Sequence, residues 1–547
     1  MPEATKRGGT GAQVVLVTLA SAQFLMTLDS SVMNVSIATV AKDVGTTVTG
    51  IQTAITAYTL VMAALMITGG KIGQIIGRKR AFAIGCVIYG CGSFVTALSP
   101  SLAVLMVGWS FLEGVGAALI LPAIVALVAA NFDRAGRPRA YGLVASAGAI
   151  AVAAGPLIGG LFTTYLSWRY VFAGEVLIVL TILALTRRME DAEPEERVRL
   201  DVVGTVLSAL GLGLIVYGVL RSGTWGFVSP KPEAPAWLGL SPVIWMMAGG
   251  GLVLWLFLRW ERRRIDTGAE PLVDPAMLRI PQLRSGLTAF FFQYLLQAGL
   301  FFAIPLFLSV ALGLSAVETG VRLLPLSVTL LIAAVGVPRF LPNASPRRVV
   351  EAGFLTLFAG TAIMVGALDA GAGPEIVTWP MLLAGLGVGA LASQLGSVTV
   401  SAVPDEQSGE VGGLQNTLMY LGSSIGTALA GAVLIAALST TLLTGIENNT
   451  AVSAELKSQA TTKLTGNVSF VSDDQLQTAL DEAGVPPQAA DAVVQENATA
   501  RIAGLRTSLS VLALIALIAA FFARWIPAEQ PGTAKAAEAV PEPSGAG

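Results

Sequence analysis

Histidine is absent from this chain of 547 residues, and charged residues are scarce. Without histidine, the chain has no Ser-His or Cys-His catalysis and none of the common histidine-based metal sites. Only 12% of the residues are charged, against about 25% in soluble globular proteins. The formal net charge of −2 excludes a nucleic-acid-binding protein that depends on a strongly basic surface.

Cysteine is also rare in this sequence. The two cysteines, Cys86 and Cys91, lie five residues apart in an apolar run. They provide neither a disulfide framework nor a metal cluster, and we interpret them as packing residues.

Apolar residues make up 54% of the chain, and the mean hydropathy is +0.73. A chain of this composition cannot cover itself with polar surface, so lipid must be its main solvent. About fourteen segments are long enough to cross a membrane as helices of about 20 residues. The sequence therefore predicts an all-α integral membrane protein that crosses the bilayer many times.

Basic residues predict the orientation of these spans. They cluster in alternate connections, for example at Arg78-Lys79-Arg80, Arg187-Arg188 and Arg262-Arg263-Arg264, whereas the stretch from Leu98 to Ser101 has none. Because basic connections stay on the cytoplasmic side, we expect both termini in the cytoplasm and an even number of spans in the cell membrane.

The connection after the second span contains a glycine and cation pattern, formed by Gly70, Gln74, Gly77, Arg78 and Lys79. Glycines allow a tight turn between two helices, and cations can meet helix C-termini or acidic partners. The spacing resembles the signature loop of the major facilitator superfamily. Gln74 stands where that family usually has Asp, which removes the carboxylate that normally pairs across the cytoplasmic gate.

The fifth span contains Gly155, Pro156, Gly159 and Gly160 within a stripe of small residues that favours close helix packing. With its Gly-Pro and closing Gly-Gly, this segment resembles the motif of facilitator-superfamily antiporters, in which it packs the fifth helix against the eighth of the core twelve.

Residues 28–35 of the first span resemble the signature of the 14-helix drug:proton antiporter branch, which includes multidrug and quaternary-ammonium-compound exporters. Trp168-Arg169-Tyr170 and Pro271-Leu272-Val273-Asp274 are also similar to elements of that branch. The resemblance implies a major facilitator fold, with two six-helix bundles and two inserted helices.

The implied division of the chain follows the predicted spans. Residues 1–190 form an N-terminal six-helix bundle, and residues 191–284 form the two inserted helices with flanking cytoplasmic linkers. Residues 285–527 form the C-terminal bundle, with an extracytoplasmic cap at 447–500 between its last two helices. Within that cap, the residues from Ser472 to Gln475 form a capping box, which predicts the start of a helix. Residues 528–547 form a disordered cytoplasmic tail.

The fourth span departs from the family pattern. Ser110 stands where the family has an Arg implicated in proton transfer, and Glu113 stands where it has Gln. A carboxyl group therefore replaces the usual cation in this span.

Carboxylates inside spans cost at least ~2.5–3.5 kcal/mol at mid-bilayer and need a reason. Asp29, Glu113 and Glu175 are the three that stand out. At about 1.5 Å per residue, Glu113 lies roughly 16 Å deep, with Asp29 and Glu175 nearer the outer half. We assign proton coupling or substrate binding to these three residues and Asn34, while Glu175 could instead pair with Arg169.

Amides and aromatics in later spans suggest the lining of a substrate cavity. Gln293 and Gln297 lie four residues apart on one helix face, next to Tyr294, while Gln394 and Asn416 are further candidates. Aromatic faces suit flat hydrophobic cations.

The predicted function is that of a secondary active transporter, a proton-coupled efflux antiporter for hydrophobic or cationic amphiphiles. The alternative is an exporter of an endogenous lipid or secondary metabolite that need not be proton-coupled. The expected partners are the small-molecule substrate, protons and membrane lipid, without nucleic acid, and the chain is treated as a monomer. No enzyme chemistry, cofactor or metal is expected beyond the proton gradient.

Overall fold

The computed structural model describes residues 9–132, 137–189, 191, 199–231, 234–369, 371–403, 408–450, 452–454, 457 and 470–529. Within these ranges the chain is almost entirely helical. Lipid offers no hydrogen bonds, so a membrane-spanning backbone must satisfy its own polar groups, which a helix does within one segment.

The helices follow one another with short connections. They are α1 (Gly9–Asp43), α2 (Val48–Ile76), α3 (Arg78–Ala97), α4 (Leu102–Leu105, π-helical Met106–Glu113 and Gly114–Asn131), α5 (Arg137–Tyr165), α6 (Arg169–Thr186), α7 (Val202–Trp225), α8 (Pro242–Asp266), α9 (Pro281–Leu306, continued by π-helical Phe307–Ala311), α10 (Ala316–Phe340), α11 (Pro346–Ala367), α12 (Thr378–Val400), α13 (Ser408–Asn448), α14 (Asp473–Glu482) and α15 (Pro487–Phe522).

Thirteen helices in the described ranges are long and apolar enough to cross a membrane. A fourteenth, α5, qualifies when its parts Ser146–Val152 and Ala154–Tyr165, which bend by 45°, count as one span. The sequence prediction of about fourteen spans in an all-helical membrane protein is confirmed.

Two faces of the helical assembly can be defined by the chain itself. The loop at residues 70–79, the start of α1 and the end of α8 lie at one end, which we call the motif face, and Lys71 there is 3.7 Å from Glu270. The end of α1 and residues 470–475 lie at the other end, which we call the cap face.

Two helix pairs make the most extensive contacts between the first six helices and the helices from α9 onward. α5 packs against α10, and α2 packs against α13. At the first contact, a Cβ atom added to Gly160 would lie 2.6 Å from the Ala316 carbonyl oxygen, and one added to Gly320 would lie 2.3 Å from the Pro156 carbonyl oxygen. At the second, the Gln52 side chain donates to the Thr427 carbonyl oxygen at 3.0 Å.

Helices α7 and α8 form a pair of their own. They pack on each other, and α7 also contacts α2 and α13. The division of the chain into bundles at 190 and 284 remains a proposal of the sequence.

Between the last two spans, residues 470–486 are described and contain the helix α14, whose predicted capping box is present. Ser472 and Gln475 form the expected capping box at the start of α14, and the chain turns at Gly484 with φ +69°. α15 then runs without interruption from the cap into the last span. The predicted disordered tail lies outside the described residues from 530 onward.

The close contact between α5 and α10 gives a test of packing. Gly320→Ala places a methyl group against backbone atoms of α5, which cannot move aside as a flexible side chain would. We expect a lower thermal midpoint of the purified protein, with a cost of about 1–3 kcal/mol. Gly366→Ala in α11, where no atom lies within 4 Å of the added Cβ, is the control. Equal midpoints for both variants and the wild type would contradict this packing.

Candidate functional site

A cavity of about 520 Å³ lies between helices of the first six (α1 to α6) and helices of the later set (α9 to α13). Residues of α1, α2, α4 and α5 line one side, and residues of α9, α10, α12 and α13 line the other. On α5 and α10 the lining residues, such as Ser146 and Leu331, lie on the motif-face side of the contact at Gly160 and Gly320. The same two helices therefore touch near the cap face and separate around the cavity.

The described lining of this cavity is uncharged and rich in aromatics and amides. Tyr58 stacks on Trp109 with ring centroids 4.9 Å apart and an interplanar angle of 8°. Tyr294, Phe301 and Tyr420 face them from the other half. Such a surface favours flat apolar molecules and permits cation–π contacts.

Behind Trp109 lie three buried carboxyl groups, which we call the carboxyl cluster. Asp29 of α1, Glu113 of α4 and Glu175 of α6 each contribute an oxygen, and these oxygens all lie within 4.8 Å of one another. All three side chains are at most 1% exposed.

Each carboxyl of the cluster accepts hydrogen bonds from neutral donors. The Trp109 indole donates to both oxygens of Asp29, at 2.8 and 3.0 Å. One Glu175 oxygen accepts from Tyr89 and Ser93, and one Glu113 oxygen accepts from Thr96 at 3.0 Å. These donors orient the carboxyls without neutralising them.

Two oxygens of the cluster have no hydrogen-bond partner in the described part of the chain, Glu113 Oε2 and Glu175 Oε1. Like charges at this spacing in a buried site cannot all be ionised together, so protons must be shared among the carboxyls. The same oxygens have the spacing to hold a small cation, but the indole and hydroxyl groups that donate to them would compete with the cation for these oxygens. The arrangement is chemically suited to binding and releasing protons.

The local backbone makes room for the cluster. Trp109 and Glu113 both lie in the π-helical part of α4, whose wider turns are frequent at functional sites. A Cβ atom on Gly92 of α3 would lie 2.6 Å from Glu113 Cγ, so this position requires glycine.

Two expectations about the carboxyls are wrong. Asp29 and Glu175 do not lie at a different depth from Glu113, because an oxygen of each carboxyl lies within 4.8 Å of the others, and counting residues along each helix leaves out the reach of the side chains. Glu175 does not pair with Arg169, whose guanidinium instead contacts Asp43 at 3.0 Å and the Ser99 carbonyl oxygen at 2.9 Å.

The structure separates the other predicted residues into two groups. Asn34, Gln293, Tyr294 and Gln297 line the cavity. Gln394 and Asn416 are not among its lining residues. The cavity meets α12 at Val388 and Ala392, so Gln394 points to another side of that helix, toward Ser393. Asn416 lies one turn nearer the motif face than the lining residues of α13.

The glycine and cation loop binds the end of α6. Gly77 has φ +96°, a conformation that favours glycine. Arg78 donates to the Gly70 carbonyl oxygen at 2.8 Å, and the Lys79 backbone N–H donates to Asp191 at 2.8 Å. Gln74 Oε1 is buried and has no hydrogen-bond partner among the described residues. The carboxylate in this loop therefore comes from Asp191.

The small residues of α5 face two helices. Cβ atoms added to Gly155 and Gly159 would approach Ser31 and Val32 of α1, whereas Gly160 and Pro156 meet α10 as described above. The predicted contact of the fifth span with the eighth core span is present in this packing.

A second cavity, of about 550 Å³, lies at the cap face. Phe470, Val471, Ser472 and Gln475 line it together with residues from the ends of α1 and α9. The buried Arg501 of α15 holds this segment by donating to the Val471 carbonyl oxygen at 2.9 Å and to Asp473 at 2.6 Å.

Sequence reasoning missed Tyr58, Trp109 and Tyr420 in the cavity and the polar face of α3. Tyr89, Ser93 and Thr96 of α3 recur at a spacing of three to four residues in an otherwise apolar span, which was a readable signal. Trp109 lies four residues before Glu113 and so shares its helix face.

Comparisons with known proteins agree with this architecture. A sequence profile described as the Major Facilitator Superfamily matches residues 19–427. The chain is 31% identical to the puromycin resistance protein pur8 of Streptomyces alboniger, over 76% of this chain and 81% of that protein. It is 30% identical to the cephamycin export protein CmcT of Amycolatopsis lactamdurans, over 78% and 86%.

Further matches extend this set. The multidrug resistance protein Stp of Mycobacterium tuberculosis is 26% identical over 78% of this chain and 77% of its own length. Among solved structures, a bacterial homolog of the human lysosomal transporter Spinster, inward-facing and unoccupied, has a TM-score of 0.61 at 14% identity, over 95% of this chain and 98% of that one. That likeness concerns the fold.

The carboxyl cluster predicts a pH-dependent stability. Ionising carboxyls whose oxygens lie within 4.8 Å of one another in a buried site places like charges side by side, so we expect the thermal midpoint of the purified protein to fall as the pH is raised above the ordinary range of a carboxyl group. Glu113→Gln keeps the shape but removes one ionisable group, so its midpoint should fall less. Glu482→Gln, at an exposed position of α14, is the control. A parallel fall in Glu113→Gln and the wild type would refute the charge argument.

Proposed function

The chain belongs to the major facilitator superfamily, and on that premise we propose that it is a proton-coupled antiporter that exports hydrophobic or cationic amphiphiles. Membership makes it a multi-pass membrane transporter related to drug exporters, and not an enzyme. The single observation that carries the proposal is the carboxyl cluster, which meets the cavity at Trp109: its ring lines the cavity and stacks on Tyr58, and its N–H donates to Asp29.

Competition between substrate and proton follows from electrostatics. A lipophilic cation that binds against Tyr58 and Trp109 lies beside the carboxyl cluster and favours its ionised form. A proton that enters the cluster removes a negative charge and with it the attraction for the cation. Because such coupling is reciprocal, each ligand weakens the binding of the other, which is the requirement for exchange.

Trp109 is the physical link between the two sites. Its ring lines the cavity while its N–H holds Asp29. A substrate that displaces the ring also changes the hydrogen bonding of Asp29. We assign Asp29, Glu113 and Glu175 to the proton, and Asn34, Gln293, Tyr294 and Gln297 to the substrate.

The orientation of the transporter is part of this proposal. The motif face carries the basic connections, so we place it and both termini in the cytoplasm. The cavity then lies on the cytoplasmic side of the closed contact between α5 and α10, where it can take up substrate from the cell or the inner leaflet. The names of the relatives, which refer to drug resistance and export, support this direction.

The alternative is an exporter of a secondary metabolite or lipid that is not coupled to protons. Two observations favour it: Ser110, in place of the family's Arg, donates to the Ala54 carbonyl oxygen of α2, and Gln74 replaces the usual Asp. The carboxyl cluster favours coupling, and measurement of proton movement separates the two functions.

Transport by a Glu113 variant tests the proposal. In proteoliposomes with an imposed pH gradient, we expect the wild type to accumulate tetraphenylphosphonium and to release protons when it is added. Glu113→Gln should lose gradient-driven accumulation at least tenfold while still binding the cation, because the cluster loses one proton site.

Glu261→Gln is the matched control for this experiment. Glu261 is also fully buried, but it lies at the end of α8 and accepts from the Leu272 backbone N–H, away from the cavity. We expect it to transport normally. Normal gradient-dependent transport by Glu113→Gln would disprove the assignment, and cation export without proton movement by the wild type would favour the uncoupled alternative.

A second variant pair tests the cavity as the binding site. Gln297→Ala removes an amide from the lining and should weaken tetraphenylphosphonium binding, or that of a related dye, about 2- to 10-fold. Gln394→Ala removes an amide outside the lining and should leave binding unchanged. Equal effects in titrations of the two variants would show that the substrate binds elsewhere.

A further inference from the structure

The motif-face end of α7 and α8 forms a groove whose function the transport site does not explain. The groove has a volume of about 720 Å³. We call it the arginine groove, and its main walls are Leu207, Trp255, Leu256, Arg259, Arg262 and Arg263. We propose that the arginine groove binds an anionic phospholipid, with its phosphate on the arginines and an acyl chain along the apolar wall.

The position of the groove selects lipid as the occupant. Of the thirteen candidate spans, α8 is the least covered by the rest of the protein: only 17% of its most apolar stretch is buried. Trp255 is 51% exposed and Leu256 is 42% exposed, at the point where the apolar part of α8 gives way to its basic end. Tryptophan followed by arginine at a helix end marks the boundary between acyl chains and headgroups.

The charge of the groove selects an anionic headgroup. Three arginines line it against one aspartate, Asp266. In the described ranges no carboxylate lies within ion-pair distance of Arg259, Arg262 or Arg263, and Arg259 rests on the Trp255 ring at 5.0 Å. Basic pockets between spans on the cytoplasmic side suit lipid phosphates, and guanidinium groups bind phosphate with two parallel hydrogen bonds.

Trp260, which also lines the groove, and Arg264 make a separate set of contacts within the protein. The Trp260 indole donates to both oxygens of the buried Asp201, at 3.1 and 2.9 Å. Arg264 lies 3.5 Å from Asp201 and donates to the Glu270 carbonyl oxygen. These contacts satisfy Trp260 and Arg264, and among the described residues no carboxylate forms an ion pair with the other three arginines.

The test uses the full-length protein in detergent, with thermal midpoints and native mass spectrometry as readouts. Phosphatidylglycerol should raise the midpoint of the wild type and remain bound, whereas phosphatidylcholine with the same acyl chains should not. In a variant with Arg259→Gln, Arg262→Gln and Arg263→Gln, apparent affinity for phosphatidylglycerol should fall about fivefold per arginine removed. Asp266→Asn should strengthen the binding.

The control replaces three exposed arginines at the same face of other spans, Arg284→Gln, Arg339→Gln and Arg348→Gln, and should keep the wild-type response. Three outcomes would overturn the proposal. The first is an unchanged phosphatidylglycerol response in the arginine-groove variant. The second is an equal midpoint rise with inorganic phosphate alone, which would indicate a site for free anions. The third is a change of oligomeric state in the variant, which would indicate an interface between two copies of the chain.

Discussion

Three carboxyl groups that share one buried site impose the main constraint on this structure. Their mutual repulsion and their burial both oppose ionisation, so the surrounding helices must supply hydrogen-bond donors and space for the three side chains. Tyr89, Ser93 and Thr96 supply the donors along α3, and the π-helical turns of α4 bring Glu113 to the other two carboxyls. Trp109, stacked on Tyr58, lies between the carboxyl cluster and the cavity: its ring lines the cavity, and its N–H donates to Asp29.

Much of the fold could be predicted from the sequence because membrane solvation leaves few options. Long apolar runs must be helices, and the capping box at Ser472 fixes the start of α14 locally. Asp29, Glu113 and Glu175 could be chosen singly because a charge in hydrocarbon needs a reason. Their proximity to one another could not be predicted, because it depends on how four helices pack and on a π-helical segment that the residue spacing does not predict.

The cavity shows the same limit. Gln293 and Gln297 could be assigned from helix periodicity on one span. Gln394 could not be excluded, because the face that α12 turns to the cavity depends on its neighbours. At the loop after α2, Gln74 indicated a missing carboxylate. Only the folded chain brings Asp191, more than a hundred residues away, to the backbone N–H of Lys79.

The last helix joins two environments. α15 has 36 residues, about 54 Å at helical rise, and passes unbroken from the cap into the last span. Arg501 of this helix holds Val471 and Asp473, which belong to the segment that lines the cap-face cavity. Residues 471–473 are therefore fixed to the same continuous helix as the last span, and a change in the tilt of α15 would displace them and alter the shape of the cap-face cavity.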